Sequence, residues 1–298
     1  MTRPFRFGVN LFTPLDGPGW TATCRRAEAL GYDVLLVPDH LGAPAPFPAL
    51  AAAAAATERP RIGTFVLNAG FWNAALLARE AATLDQLSGG RLELGLGTGY
   101  VRSEFEDAQL PWEGGGARVD RLAALVEGVS ARLADPGHLP ATVQAPRPPL
   151  LLAGNGDRML RLAAAHADIA AFTGATLVPG SGDGALRLVP AATLDERVAH
   201  LREQAGSRAP QIETNLLVQK VEVTGSRRSV LAEGRARPGL DHLSIDELLD
   251  APTLLVGTVE EIAEQLRGQR ERFGFSYVSV LQPSMEALGP VIEKLAGS

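Results

Sequence analysis

Apolar runs and amphipathic stripes alternate along this chain with a regular period. Arg6–Asn10 (RFGVN) reads as a short apolar strand. A helical pattern follows over Thr21–Leu30, with Trp20, Cys24 and Ala27 at helical spacing and Gly31 as a stop. Asp33–Pro38 (DVLLVP) is a near-continuous apolar run, the pattern of a parallel strand covered on both faces. Arg61–Asn68 and Arg91–Thr98 repeat it, with a helix expected between them from Asn73 to Leu87. These four strands begin 27 to 30 residues apart. Pro149–Gly154, Asp168–Gly174, Ile212–Val223 and Tyr277–Gln282 bring the number of strands to eight.

Helix starts support the same division. Thr258 with Glu261, Thr193 with Glu196, and Ser244 with Glu247 each have capping-box spacing. Leu122, Leu125, Val126, Val129 and Leu133 form an apolar stripe, as do Val259, Ile262, Leu266 and Phe273. Eight strand–helix units in 298 residues predict an α/β protein with a closed (β/α)8 TIM barrel, one domain over residues 1–298. A doubly wound open sheet would want a dinucleotide fingerprint. The nearest candidate, Gly95-Leu96-Gly97-Thr98-Gly99, fails at its third glycine, where Tyr100 or Arg102 stands. Three insertions follow strands four, six and seven: Tyr100–Ala117, Ala175–Pro190 and Thr224–Pro252. In a barrel all three lie on the C-terminal face, where active sites are built.

Composition narrows the function. The apolar share, 46%, is that of a globular protein. A net charge of −6 with no basic run argues against nucleic acid as a partner. One cysteine excludes a disulfide framework, and its place on an apolar helical face makes Cys24 a core residue. The uncharged run Leu41–Thr57 is short for a membrane span and carries three prolines, so it reads as a loop and a packed helix. Met1–Phe7 has no apolar signal region. The expectation is a soluble cytoplasmic protein with no membrane partner.

Candidate chemistry sits at strand ends. These are Asn10, Asp39-His40, Asn68, Gly97-Thr98-Gly99, Gly154-Asn155-Gly156 and Gln282. His40 is the one histidine of five at such a position. Gly154-Asn155-Gly156-Asp157-Arg158 opens a helix directly after a strand, where free backbone N–H groups and Arg158 suit a phosphate. The plainer reading is a tight turn with Asp157 as N-cap. No His-x-His, His-Glu-x-x-His or Gly-x-Ser-x-Gly occurs, so no metal is expected and no nucleophile elbow. Only Lys220 is placed for Schiff-base chemistry. So few reactive groups suggest a cofactor that carries the reaction itself.

The stretch from Gly63 to Gly99 (GTFVLNAGFWNAALLAREAATLDQLSGGRLELGLGTG) resembles the luciferase-like monooxygenase superfamily, with its coenzyme F420 (8-hydroxy-5-deazaflavin) oxidoreductases as the nearest branch. Val37–His40 (VPDH), Glu104-Phe105 with Leu110-Pro111, Pro148–Asp168 and Leu254–Leu266 extend the resemblance over most of the chain. It implies a barrel binding a flavin-type ring at its C-terminal mouth. It also implies a non-prolyl cis bulge at Phe65-Val66 beside Asn68, and cofactor phosphate near Gly154–Gly156. Asp39 and His40 match a pair facing the reactive side of the cofactor in sugar-phosphate-oxidising relatives. Those relatives carry a glutamate where Tyr100 stands, which disfavours their substrate and leaves His40 or Tyr100 as proton donor, unless none is needed.

The resulting expectation is hydride transfer between coenzyme F420 and a small organic substrate, with reduction of an activated C=C or C=N bond. Asn10, Phe65, Val66, Asn68, Gly97, Thr98, Gly99, Gly154, Asn155, Gly156 and Arg158 would hold the cofactor. Trp72 and Trp112 would shape the substrate pocket. A homodimer and a separate coenzyme-reducing enzyme are further expectations. FMN is the alternative cofactor, in a two-component monooxygenase. A non-catalytic flavin carrier is the other alternative.

Overall fold

In the computed structural model, which describes residues 3–14, 16–178 and 184–297, eight parallel strands close on themselves. They are β1 (Arg6–Asn10), β2 (Val34–Val37), β3 (Arg61–Thr64), β4 (Leu92–Gly97), β5 (Leu150–Ala153), β6 (Ile169–Phe172), β7 (Glu213–Val218) and β8 (Tyr277–Leu281). β1 pairs with both β2 and β8, and contact between β3 and β4 shuts the ring. The TIM barrel expected from eight apolar runs is the observed architecture. Central strands are buried on both faces, which is why they read as unbroken apolar sequence.

Two apolar layers result. Val34, Leu36, Phe65, Leu151, Ile169, Ala171 and Tyr277 cluster together in one. The larger cluster joins the strands to the helices and includes Trp20, Cys24 and Ala27, together with the Leu122–Leu133 stripe. At β1's beginning Arg6 pairs with Glu93 (2.8 Å) and Glu213 (3.2 Å), its guanidinium 4.4 Å from the Tyr277 ring centroid. Arg61 reaches Glu93 as well, at 2.7 Å.

Strand three is broken. The offset between paired residues is 30 at Ile62–Leu92 and 29 at Leu67–Leu96, so one extra residue lies between, the signature of a bulge. The Phe65-Val66 peptide within it is cis, and Leu67–Asn68 then rejoins β4. The Thr64 hydroxyl bridges the gap: it accepts from Gly95 N and donates to Gly95 O, both at 2.8 Å.

Several boundaries differ from the sequence pattern. Strand seven does not run through to Val223. It leaves the barrel at Val218, and Lys220–Val223 pairs instead with Leu254–Gly257, because Gln219 and Lys220 both donate backbone N–H to Thr253 O. Lys220 is therefore on a satellite ribbon, ion-paired with Glu222. Thr193 is not a cap: Pro190 precedes the helix Ala191–Ala205, placing Thr193 inside its first turn. Asp157 is likewise inside its helix, with Gly156 as N-cap. The other two capping boxes form as expected, at Ser244 and Thr258.

The insertions are more ordered than loops. Arg102–Asp107 is a short helix, and Gly114-Gly115-Gly116 begins the long helix Gly115–Ala134 rather than a flexible turn. Ala175–Leu177 and Leu186–Leu188 form an antiparallel hairpin; residues 179–183 of that insertion lie outside the described residues. Arg227–Gly234 and Ile245–Asp250 are helices that share a small apolar cluster with Leu254 and Val256. No helix among the described residues is long and apolar enough to cross a membrane.

Thr64→Val tests the bridge across the break. It keeps the volume but strands a buried N–H and C=O of Gly95, which should cost about 2 kcal/mol. Urea denaturation of variant and parent measures it, and equal midpoints would show the bridge to be idle.

Candidate active site

At the C-terminal ends of the strands a cavity of about 730 Å³ opens. That is the size of a site for a cofactor or drug-sized ligand. Its lining includes Asn10, Asp39, His40, Phe65, Val66, Asn68, Gly97, Thr98, Gly99, Tyr100, Gly154, Asn155 and Gly156. Thus thirteen of the sixteen residues nominated from sequence converge on one space. Three do not line it. Trp72 packs edge-on to Phe47 and donates its indole N–H to Asp39. Trp112 lies against Phe105 and beneath the Arg118 guanidinium, 3.9 Å from the ring centroid. Arg158 turns to the neighbouring helix, bonding Gly116 O and Asp120.

Glycines let the wall come close. A Cβ on Gly95 would fall 2.0 Å from Thr64 O, and one on Gly97 would fall 2.6 Å from Val66 Cγ2. Gly99 has φ +69°, and its Cβ would stand 2.3 Å from Asn68 Oδ1. The Gly95–Gly99 run is thus required by the approach of the bulge to β4. On the bulge side, Asn68 Oδ1 accepts from Gly70 N at 2.9 Å. Asp39 Oδ2 accepts from Asn68 N at 3.1 Å and from Trp72 Nε1 at 2.9 Å.

His40 Nδ1 lies 2.8 Å from Glu104 Oε1, and the Tyr100 ring meets the imidazole edge-on with centroids 5.6 Å apart. Burial raises the Asp39 carboxyl above its usual range, against the two donors and His40, which lower it. Burial, with Glu104 adding to it, raises the Tyr100 phenol. Across the mouth, Asn155 Nδ2 donates to Thr173 Oγ1 (2.7 Å) and Ala175 O (2.8 Å). The helix that follows has Gly156 as its N-cap and so no side-chain cap.

Three amides of the lining carry a buried side-chain atom with no partner among the described residues, and Asn155 Oδ1 is one such atom. Both polar atoms of the Asn10 side chain, 2% exposed, are unbonded, and so is Asn68 Nδ2. Strand-end reasoning missed Gln219, which also lines the cavity, because strand seven was extended past it. It missed Glu104, which is on the helix Arg102–Asp107 rather than at a strand end. Leu177 and Leu186 of the hairpin add apolar lining that their Gly- and Pro-rich surroundings concealed. In the insertion after strand seven, Arg227, Arg228 and Arg235 bond Leu249 O, Asp246 and Leu243 O. Among the described residues no group of three or more His, Cys, Asp or Glu could hold a metal.

A model of the luciferase-like monooxygenase family matches residues 19–277. The chain belongs to the luciferase-like monooxygenase family. An uncharacterised protein of Mycobacterium tuberculosis is 30% identical over 219 residues, covering 62% of this chain and 72% of that protein. An F420-dependent glucose-6-phosphate dehydrogenase of Beutenbergia cavernae is 35% identical over 136 residues, 43% of this chain and 39% of the enzyme. Among solved structures, an F420-dependent secondary alcohol dehydrogenase in complex with an F420-acetone adduct superposes with TM-score 0.73 at 17% identity, covering 98% of both chains. A monooxygenase from Streptomyces bottropensis gives 0.72 at 23% identity, covering 97% of this chain and 96% of that one. These two structures share the luciferase-like fold.

Asp39 gives a pH test. Its folded-state pKa is raised, so its proton favours the folded state at low pH, and that contribution is lost as pH rises through the raised value. Asp39→Asn cannot titrate. Parent stability relative to the variant should therefore fall as pH climbs from below the usual carboxylate range, then level off. Urea midpoints measured across pH check this; a difference that grows with pH would overturn it.

Proposed function

We propose that this chain is an oxidoreductase that moves a hydride between coenzyme F420 and a small, uncharged organic substrate, reducing an activated C=C or C=N bond. The observation that carries this is a cavity of about 730 Å³ beside the Phe65-Val66 shelf, lined by Asn10, whose whole side-chain amide lacks a partner among the described residues, and by Asn68, whose Nδ2 lacks one. Buried amide atoms without partners are rare, and here they belong to residues that line a space suited to a polar-edged ring. Such a ring would lie against Phe65 and Val66, with Asn10, Asn68 and Gly97–Gly99 around it. The phosphate would meet the uncapped helix start at Gly154–Gly156. When bound, the coenzyme supplies a hydride at its C5. The F420-dependent relatives support this choice of cofactor.

The chain's own groups then orient substrate and handle its proton. Asp39 is held on one oxygen by Asn68 N and Trp72 Nε1, leaving Oδ1 toward other partners. His40 can give or take a proton at Nε2, and Tyr100 stands against the same ring. No lysine or arginine is found among the described residues that line the cavity. A sugar phosphate would find no cationic side chain there, which is why an uncharged substrate is proposed. Leu177, Leu186 and Leu217 favour one with apolar surface. A separate enzyme would regenerate the reduced coenzyme.

Anaerobic titration with coenzyme F420 and with FMN tests the cofactor, read from the visible spectrum of each. Tight binding of F420 is expected, with turnover on a panel of enones and cyclic imines. His40→Ala should lower that turnover about a hundredfold if the imidazole moves the proton. Binding of FMN alone would transfer the chain to the monooxygenase reading. Binding with no turnover on any substrate would favour a carrier.

A further inference from the structure

Glu104 enters the cavity from an element that the strand-end rule does not reach. Its helix, Arg102–Asp107, is pinned by Phe105, which is 2% exposed and packs against Phe71 and Trp112. Gly70 fits beneath that ring: a Cβ there would stand 2.4 Å from Phe105 Cε1. The neighbouring Glu106 is taken by Arg102, at 2.7 Å. Glu104 instead meets His40, 64 residues away in sequence, and its side chain is only 12% exposed. His40 Nδ1 is its one hydrogen-bond partner among the described residues.

That contact has a chemical consequence. An ionised carboxylate offers only acceptors, so a short bond to Nδ1 requires the proton on Nδ1. A neutral imidazole has one N–H, so Nε2 then carries the lone pair. Nε2 has no partner among the described residues, and His40 lines the cavity. The Tyr100 ring, edge-on at 83°, stands on the imidazole and opposes its rotation.

We propose that Glu104 is a positioning residue that fixes His40 with its proton on Nδ1, so that Nε2 is the nitrogen which exchanges a proton with the substrate. The role of Nε2 rests on the proposed oxidoreductase function; the tautomer does not. Glu104 acts only through the ring, as the orienting carboxylate does in other histidine-based sites.

Two readouts test it on the full-length protein. Nitrogen-15 NMR of the histidine ring reports the tautomer with no cofactor present. The parent should show a protonated Nδ1 and an unprotonated Nε2, and Glu104→Ala should show the mixture of a free imidazole. With coenzyme F420 and a substrate from the panel, Glu104→Ala should lose at least tenfold in kcat, with KM for the coenzyme within about twofold. Glu104→Gln is the second variant, since its amide can present oxygen or nitrogen to Nδ1. Its kcat should follow whichever tautomer the spectrum shows. A parent lacking the Nδ1 proton overturns the proposal. So does any variant that loses the tautomer but keeps kcat, or keeps it and loses kcat. Absence of F420 turnover in the parent would instead reject the functional reading, while the spectrum still decides the tautomer.

Discussion

The site depends on how closely strand three can approach β4. At that crossing Thr64 O lies where a Gly95 side chain would begin, and Val66 lies where a Gly97 side chain would be. Backbone contact this near removes ordinary ladder bonds, and the Thr64 hydroxyl replaces them at Gly95. The extra residue of the bulge is then displaced into the barrel, with Phe65 and Val66 lining the cavity. Asn68 follows two residues after Val66, and through its backbone N–H it holds Asp39 on the neighbouring strand end. A methyl group added at Gly95 or Gly97 would therefore reach Asp39 through two intermediaries.

The barrel was legible in the sequence because its strands are buried on both faces. Unbroken apolar runs such as Val34–Val37 can hardly be anything else when helical stripes separate them. Boundaries were legible where a local interaction sets them. The capping boxes at Ser244 and Thr258 use only neighbouring residues, and both form. The one at Thr193 was overruled by Pro190, whose fixed φ starts the helix earlier. The end of strand seven was not legible, because the Thr253 carbonyl that captures Gln219 and Lys220 is more than thirty residues away.

The site divides in the same way. Strand-end positions are projected into the mouth by the barrel itself, so Asn10, Asp39, His40 and Asn68 could be named from spacing alone. Trp72, Trp112 and Arg158 sit on loops and helices, where a large or charged side chain has several directions open to it. Each found a nearer partner: Asp39 for Trp72, Arg118 for Trp112, Asp120 for Arg158. Glu104 is the converse, a helix residue whose direction is fixed by its buried neighbour Phe105. The glycines of Gly95–Gly99 were visible as a motif, but the reason for them was not. Spacing suggests a loop that receives a ligand, whereas the contacts show a strand that receives another strand.

Electrostatics inside the cavity give it a direction. At the β2 end stand two carboxyl groups, Asp39 and Glu104, with the His40 imidazole against Glu104. Three strands round the barrel, after β5, the helix Asp157–His166 begins at Gly156 with free backbone N–H groups. Asp157 in its first turn would oppose an anion, but it is paired with Arg197. Partial positive charge is thus left at one side and acidic groups at the other, in a space of low polarity between them. An anionic chain is favoured toward β5 and repelled from β2. Beside His40 the Asp39 and Glu104 carboxyl groups disfavour an anion. The lining therefore carries opposite partial charge on its two sides without a single lysine or arginine among its described residues.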